Sequence, residues 1–299
     1  MCGLMAGNGK LKIGVVRSLA CQNVVRGRDS AGLAWRGKKG SEIAKVAQHP
    51  LVAFNETLNQ DIINATKSGT MLAHTRHATT GDVTNDNAHP FMIDGIAFAH
   101  NGIIANYKSI CPQQYANKTF KVDSQALIYG IKKRDFSRFI GSIGLVWIEG
   151  DCLYAYRRGN PLHRGTLNDA IYLASEAQFL QRVGCHKIKE LIEGTIYVFK
   201  DGKLLHTKTI PSNSVWGYSH PAVAHEHAYG GNQVVIVDGS GEPVENTGFV
   251  PRLSGPTKDR GNKPIRSMFE NEVDDLFDEI QKRNGLHNNR KDFGDKDGD

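Results

Sequence analysis

Up to about residue 210 the chain repeats one pattern, in which short apolar runs of strand character alternate with helical spacings and tight turns at ordinary loop lengths. Ala31, Leu33 and Trp35 alternate, and the apolar runs at 71–73, 96–99 and 143–148 read as buried strands. Val16, Leu19, Ala20 and Val24 recur at helical spacing, with Gly27 expected to stop that helix. Asp123 stands where it would cap a helix running through Ile131. Gly150-Asp151 and Asp201-Gly202 each sit between alternating runs and read as hairpin turns, the second because Asp-Gly suits a type I′ turn. Hairpins mixed with helices favour an α+β fold of stacked sheets with helical outer layers.

A chain of 299 residues can bury a sizeable core without disulfide or metal staples. No run approaches eighteen uninterrupted apolar residues and no signal-peptide pattern opens the sequence, so a soluble cytoplasmic protein away from the membrane is expected. Cys2, Cys21, Cys111, Cys152 and Cys185 are scattered, which argues for reduced thiols and against a structural zinc. The net charge of +6 hides an asymmetry. Glu270, Glu272, Asp274, Asp275, Asp278 and Glu279 meet no base between Phe269 and Ile280, leaving 37 bases against 25 acids elsewhere, a balance of +12. That describes a basic body with an acidic arm. The bases are dispersed and not interleaved with aromatics, so nucleic acid is not expected as a partner.

Beyond Ile210 the texture changes. Residues 211–265 read as a linker-like extension with a possible hairpin near Asp238-Gly239. Residues 266–283 read as an acidic amphipathic helix, opened by an S-x-x-E capping box at Ser267 and Glu270. Its apolar face is too short to fold alone, so it docks either on this chain's own body or on a protein partner. The tail, 284–299, has nothing to bury and is expected to be disordered. His220, His225 and His227 read as a solvated loop, and no metal or cofactor is expected.

The residue most informative about chemistry is Cys2. A small side chain after Met1 permits removal of the initiator, which would put a thiol and a free α-amine on one residue. The amine titrates at about 7.7–8.0 and a free thiol at about 8.5, so the amine can take the thiol proton near neutral pH without a separate histidine.

Downstream of Cys2 follow, in order, Arg26-Gly27-Arg28-Asp29-Ser30-Ala31-Gly32, His74-Thr75-Arg76-His77-Ala78-Thr79-Thr80-Gly81, Asn87-Ala88-His89-Pro90 and His100-Asn101-Gly102-Ile103-Ile104-Ala105-Asn106-Tyr107. This series resembles the class II glutamine amidotransferases, the N-terminal-nucleophile glutaminase domains of glucosamine-6-phosphate synthase and the phosphoribosyl amidotransferase, over roughly residues 2–210. The resemblance implies a four-layer αββα sandwich and hydrolysis of L-glutamine to glutamate and ammonia through a Cys2 thioester. It further implies an oxyanion hole from the Asn101 side chain and the Gly102 N–H, with Arg76 on the substrate carboxylate, Asp123 on its ammonium group and Thr79 helping to hold the same end of the substrate. His77 and His89 would support the surrounding loops.

The chain departs from the glucosamine-type pattern at His77, where that pattern has tryptophan, and at Thr80, where it has histidine. Arg28 replaces a tyrosine and Ala105 an acid. The roughly ninety residues after Ile210 are too few for the acceptor domains of the resembled enzymes, so a separate ammonia-accepting synthase is expected as partner. Two alternatives stand beside this reading. One is an amide hydrolase for a substrate other than glutamine, the other a non-catalytic regulatory or binding module.

Overall fold

The computed structural model describes residues 2–78, 81–110 and 120–210. The expected linker 211–265 with its three histidines, the acidic helix 266–283 and the tail 284–299 lie outside the described residues, as do Thr79, Thr80 and Cys111.

The described strands form two sheets. The first, in spatial order, is β11 (His186–Glu190), β9 (His163–Leu167), β10 (Ala170–Ala174), β1 (Gly3–Gly9), β4 (Thr70–Arg76), β2 (Ser30–Arg36) and β3 (Ser41–Val46). The second is β13 (Lys203–Thr209), β12 (Thr195–Lys200), β8 (Cys152–Arg158), β7 (Gly141–Glu149), β6 (Ile96–Ile104) and β5 (Phe91–Ile93). Neighbouring strands run antiparallel throughout.

Period-two alternation sorts the side chains into layers. Leu4, Ala6 and Leu72 of the first sheet pack against Ala97, Ala99, Val146 and Leu153 of the second, giving a dry layer between the sheets. The alternate residues of the first sheet, among them Met5, Leu33 and Met71, share a core with α1 (Ile13–Asn23), α3 (Asn59–Ser68) and α6 (Ala177–Arg182). The turn α2 (Pro50–Val52) runs into a π turn, Ala53–Thr57, that adds Phe54 to this core. On the far side Phe98, Leu145 and Trp147 pack with Leu127, Ile128 and Ile131 of α5 (Leu127–Lys133), and with Tyr107 of α4 (Tyr107–Ile110). Helices, sheet, sheet, helices is the four-layer order that the resemblance implies. Burial of a side chain such as Leu4, Leu72 or Phe98, each 0% exposed, stabilises the fold by roughly 1.5–3 kcal/mol.

The turn at Asp201-Gly202 has φ of 51° and 74° and joins Lys200 to its partner Lys203, a two-residue hairpin as its sequence indicates. Two local expectations are corrected. Helix α1 ends at Asn23, ahead of Gly27. A Cβ on Gly27 would lie 2.5 Å from the Thr75 carbonyl oxygen, so glycine there permits close approach to β4. Asp123 does not cap its helix. It opens a 3₁₀ turn, Asp123–Ala126, whose Gln125 Oε1 reaches back to accept the N–H groups of the two residues ahead of the turn, Lys121 at 2.8 Å and Val122 at 3.3 Å.

Candidate active site

Strand register sets the site. Gly3 of β1 lies opposite Thr75 of β4, which brings the preceding residue, Cys2, level with the end of β4. The His77 N–H donates to Cys2 Sγ at 3.3 Å, and the thiol lies 3.5 Å from the His77 carbonyl oxygen. Arg26 Nε–H donates to the Cys2 carbonyl at 2.8 Å, while its Nη1 is ion-paired with Glu176. Cys2 is thereby pinned on both sides. Burial pushes its thiol pKa up, against the His77 N–H and the charges of Arg76 and Arg26, so the resting thiol is protonated and needs a base.

The second sheet contributes through β6. His74 Nε2–H donates across the sheet interface to the His100 carbonyl at 3.1 Å. Arg76 follows two residues after the one and Asn101 directly after the other, so this bond brings the end of β4 and the Asn101-Gly102 pair to the same end of the sandwich. The Asn101 backbone carbonyl accepts from Asn160 Nδ2 at 2.7 Å, which fixes the strand, while the buried Asn101 Nδ2 has no hydrogen-bond partner. A buried donor left unpaired costs about 1–3 kcal/mol, so such a group suits an acceptor brought by a ligand. Gly102 has φ of 149°, and a Cβ there would lie 2.0 Å from the Ser142 carbonyl oxygen. Only glycine fits.

Arg76 is buried, and its guanidinium donates to the carbonyls of Asp82 at 3.0 Å and Gly81 at 3.2 Å. Asp123 Oδ2 accepts the Ile104 N–H at 2.7 Å, which ties this carboxylate to the end of β6 two residues beyond Gly102. His77 presents its backbone to Cys2, while its own ring, 56% exposed, stands 3.7 Å from Asp29. Asp29 also accepts the Ala78 N–H at 2.7 Å. His89 is buried behind the site, its ring 4.2 Å from that of His74 and 4.6 Å from Phe91, with neither nitrogen paired.

Burial lowers the pKa of all three histidines, His74 to about 3, His89 well below its ordinary value, and His100 in spite of the pull of Asp123. They are neutral at pH 7. Since His100 Nε2 faces the Ser142 carbonyl at 3.2 Å it carries the proton, leaving Nδ1 to accept from Ser124 Oγ at 2.9 Å.

The structure therefore places Cys2, Arg76 and Asn101-Gly102 at one end of the sandwich, with Asp123 bonded to the same end of β6. Thr79 lies outside the described residues. Arg26, Asp29 and His100 stand inside the motifs with no role assigned by sequence, because their supporting contacts are with partners 24 to 150 residues away. Among the described residues no group of His, Cys, Asp and Glu is placed to hold a metal ion, and no helix is long and apolar enough to cross a membrane.

Comparison with known proteins agrees with this fold. Residues 1–125 match the family model of class-II glutamine amidotransferases. The glutamine–fructose-6-phosphate aminotransferase of Caulobacter vibrioides is 31% identical over 199 residues, covering 59% of this chain and 32% of that protein. The amidophosphoribosyltransferase of Archaeoglobus fulgidus is 25% identical over 215 residues, covering 62% of this chain and 45% of that one. The glutamine phosphoribosylpyrophosphate amidotransferase structure from B. subtilis superimposes with a TM-score of 0.57 at 21% identity, over 70% of this chain and 49% of its own, and so shows the fold. The chain thus spans less than half the length of each of these two curated relatives.

Proposed function

Because the chain carries a class II glutamine amidotransferase domain, related to the glutaminase domains of glucosamine-6-phosphate synthase and the phosphoribosyl amidotransferase, we propose that it hydrolyses L-glutamine at Cys2 and passes ammonia to a separate acceptor enzyme. The observation that carries this is a thiol held by the His77 N–H at the end of the sandwich where Asn101 Nδ2 lies buried and unpaired. In this reading residues 2–210 are the glutaminase domain, Met1 is removed, and the protein works in the cytoplasm. The segment 266–283 docks on the acceptor or on the chain's own body.

The Cys2 α-amine takes the thiol proton and sulfur attacks the side-chain amide carbon of glutamine. Asn101 Nδ2 and the Gly102 N–H receive the oxyanion. Collapse breaks the C–N bond, the amine returns the proton to the leaving nitrogen, and ammonia departs from a glutamyl thioester. Water activated by the same amine then attacks the thioester, releasing glutamate and restoring the thiol. Arg76 holds the substrate carboxylate and Asp123 its ammonium group, with Thr79 helping to hold the same end of the substrate. Arg76 already donates to two loop carbonyls, so substrate would be taken in exchange for such contacts.

A substrate panel tests the reading. Glutamine is expected to be preferred over asparagine and over glutaramate, the analogue without the ammonium group. In Asp123→Asn the amide oxygen still accepts the Ile104 N–H but the charge is gone. KM for glutamine should rise about tenfold to a hundredfold, the worth of one charged hydrogen bond, with glutaramate unaffected. A panel in which another amide is preferred would favour the alternative hydrolase. A fully processed protein that turns over no amide would favour the non-catalytic module.

A further inference from the structure

A second cleft, of about 300 Å³, opens where the edge strand β3 faces β5. Its apolar surface comes from Ile43, Phe91 and Met92, its charged groups are Lys45, Lys121 and Asp86, and none of these belongs to the glutamine site. Lys45 Nζ lies 4.8 Å over the Phe91 ring and donates to the carbonyls of Ala88 at 2.8 Å and Asp86 at 3.1 Å. Burial lowers its pKa to about 8, with Asp86 pulling the other way, so its charge is poorly solvated and gains from an added anion. Lys121 Nζ meets the Asp86 carboxylate at 3.2 Å. Two cations face one anion.

That ion pair marks how an acidic oxygen is received in the cleft. Its side chains are 63% and 78% exposed, so the pair is worth only about 0.2–1 kcal/mol and exchanges readily. We propose that the cleft binds a small organic anion, a phosphate or carboxylate group that takes the place of Asp86 on Lys121 and reaches Lys45, with an apolar body against Phe91 and Met92.

The cleft also has a route to Arg76. Asp86 lies in the segment whose Gly81 and Asp82 carbonyls accept from Arg76, and Asn87 Nδ2–H donates to that same Asp82 carbonyl at 3.0 Å. Asn85 Oδ1 anchors the segment to the Ala47 N–H at 2.7 Å. A ligand that draws Lys45 Nζ off the Asp86 and Ala88 carbonyls removes two anchors of this segment, so an occupied cleft raises KM for glutamine. This last consequence, unlike the binding itself, rests on the glutaminase reading.

Calorimetric titration of the full chain with phenyl phosphate, benzoate and inorganic phosphate decides the matter. Saturable binding of phenyl phosphate or benzoate in the millimolar range or tighter is expected, the stronger of the two identifying the head group. Inorganic phosphate should bind at least about tenfold more weakly for want of the apolar body. Lys121→Met, at an exposed position that does not threaten folding, and Lys45→Met should each weaken binding about tenfold, Lys45→Arg should retain it, and Lys203→Met on β13 should leave it unchanged. Saturable binding that Lys121→Met and Lys45→Met leave intact, or no binding by the unsubstituted chain, overturns the proposal. Because the titration reads binding alone, it decides the cleft even if the chain proves unable to hydrolyse glutamine.

Discussion

Cys2→Ala should abolish glutamine hydrolysis, lowering kcat by at least about 10⁴-fold, because the reaction loses the atom that forms the thioester. Little else should change. The thiol's contacts are a long pair with the His77 backbone, at 3.3 and 3.5 Å, so the melting temperature should move no more than a loss of about 1 kcal/mol allows. Steady-state glutamate release checks the first part and thermal unfolding the second. A variant that still hydrolyses glutamine would remove Cys2 from the mechanism. One departure from the glucosamine-type pattern bears on this result. His77 contacts Cys2 through its N–H, which any residue except proline supplies, so the change of side chain there leaves that contact in place.

Asn101→Ala should cost about 10²–10³ in kcat with KM nearly unchanged, the effect of removing one oxyanion donor. The resting structure makes this a discriminating variant. Nδ2 of Asn101 bonds nothing, so its removal forfeits no hydrogen bond of that atom, while the strand stays anchored through the Asn101 backbone carbonyl and Asn160. Activity should therefore fall far more than stability. Equal losses in both would make Asn101 a structural residue, and unchanged kcat with a raised KM would make it a ground-state binding group.

The layered fold was legible because alternation and turn chemistry are local properties. Ala31, Leu33 and Trp35 announce their strand, and Asp201-Gly202 announces its hairpin, without knowledge of any partner. The candidate site rests on a different signal, the ordered motifs, which the structure brings to one end of the sandwich. The supporting network was not legible. Arg26 reaches the Cys2 carbonyl, Asn160 the Asn101 carbonyl and His74 the His100 carbonyl across 24, 59 and 26 residues, and nothing in a linear string distinguishes such side chains from surface ones. Gly27 and Asp123 misled for the same reason. Each has an ordinary local use, as helix stop and helix cap, and each is used for a distant contact, with β4 and with the Ile104 N–H.

The central claim, that Cys2 is a glutamine-directed nucleophile, is most directly tested by the intact mass of the protein before and after exposure to diazo-oxo-norleucine, with the adduct located by peptide mapping. The expected result is loss of Met1 and a single adduct on Cys2 that excess glutamine prevents. A processed N-terminus that takes no adduct, or an adduct on Cys21, Cys152 or Cys185 instead, would contradict the claim.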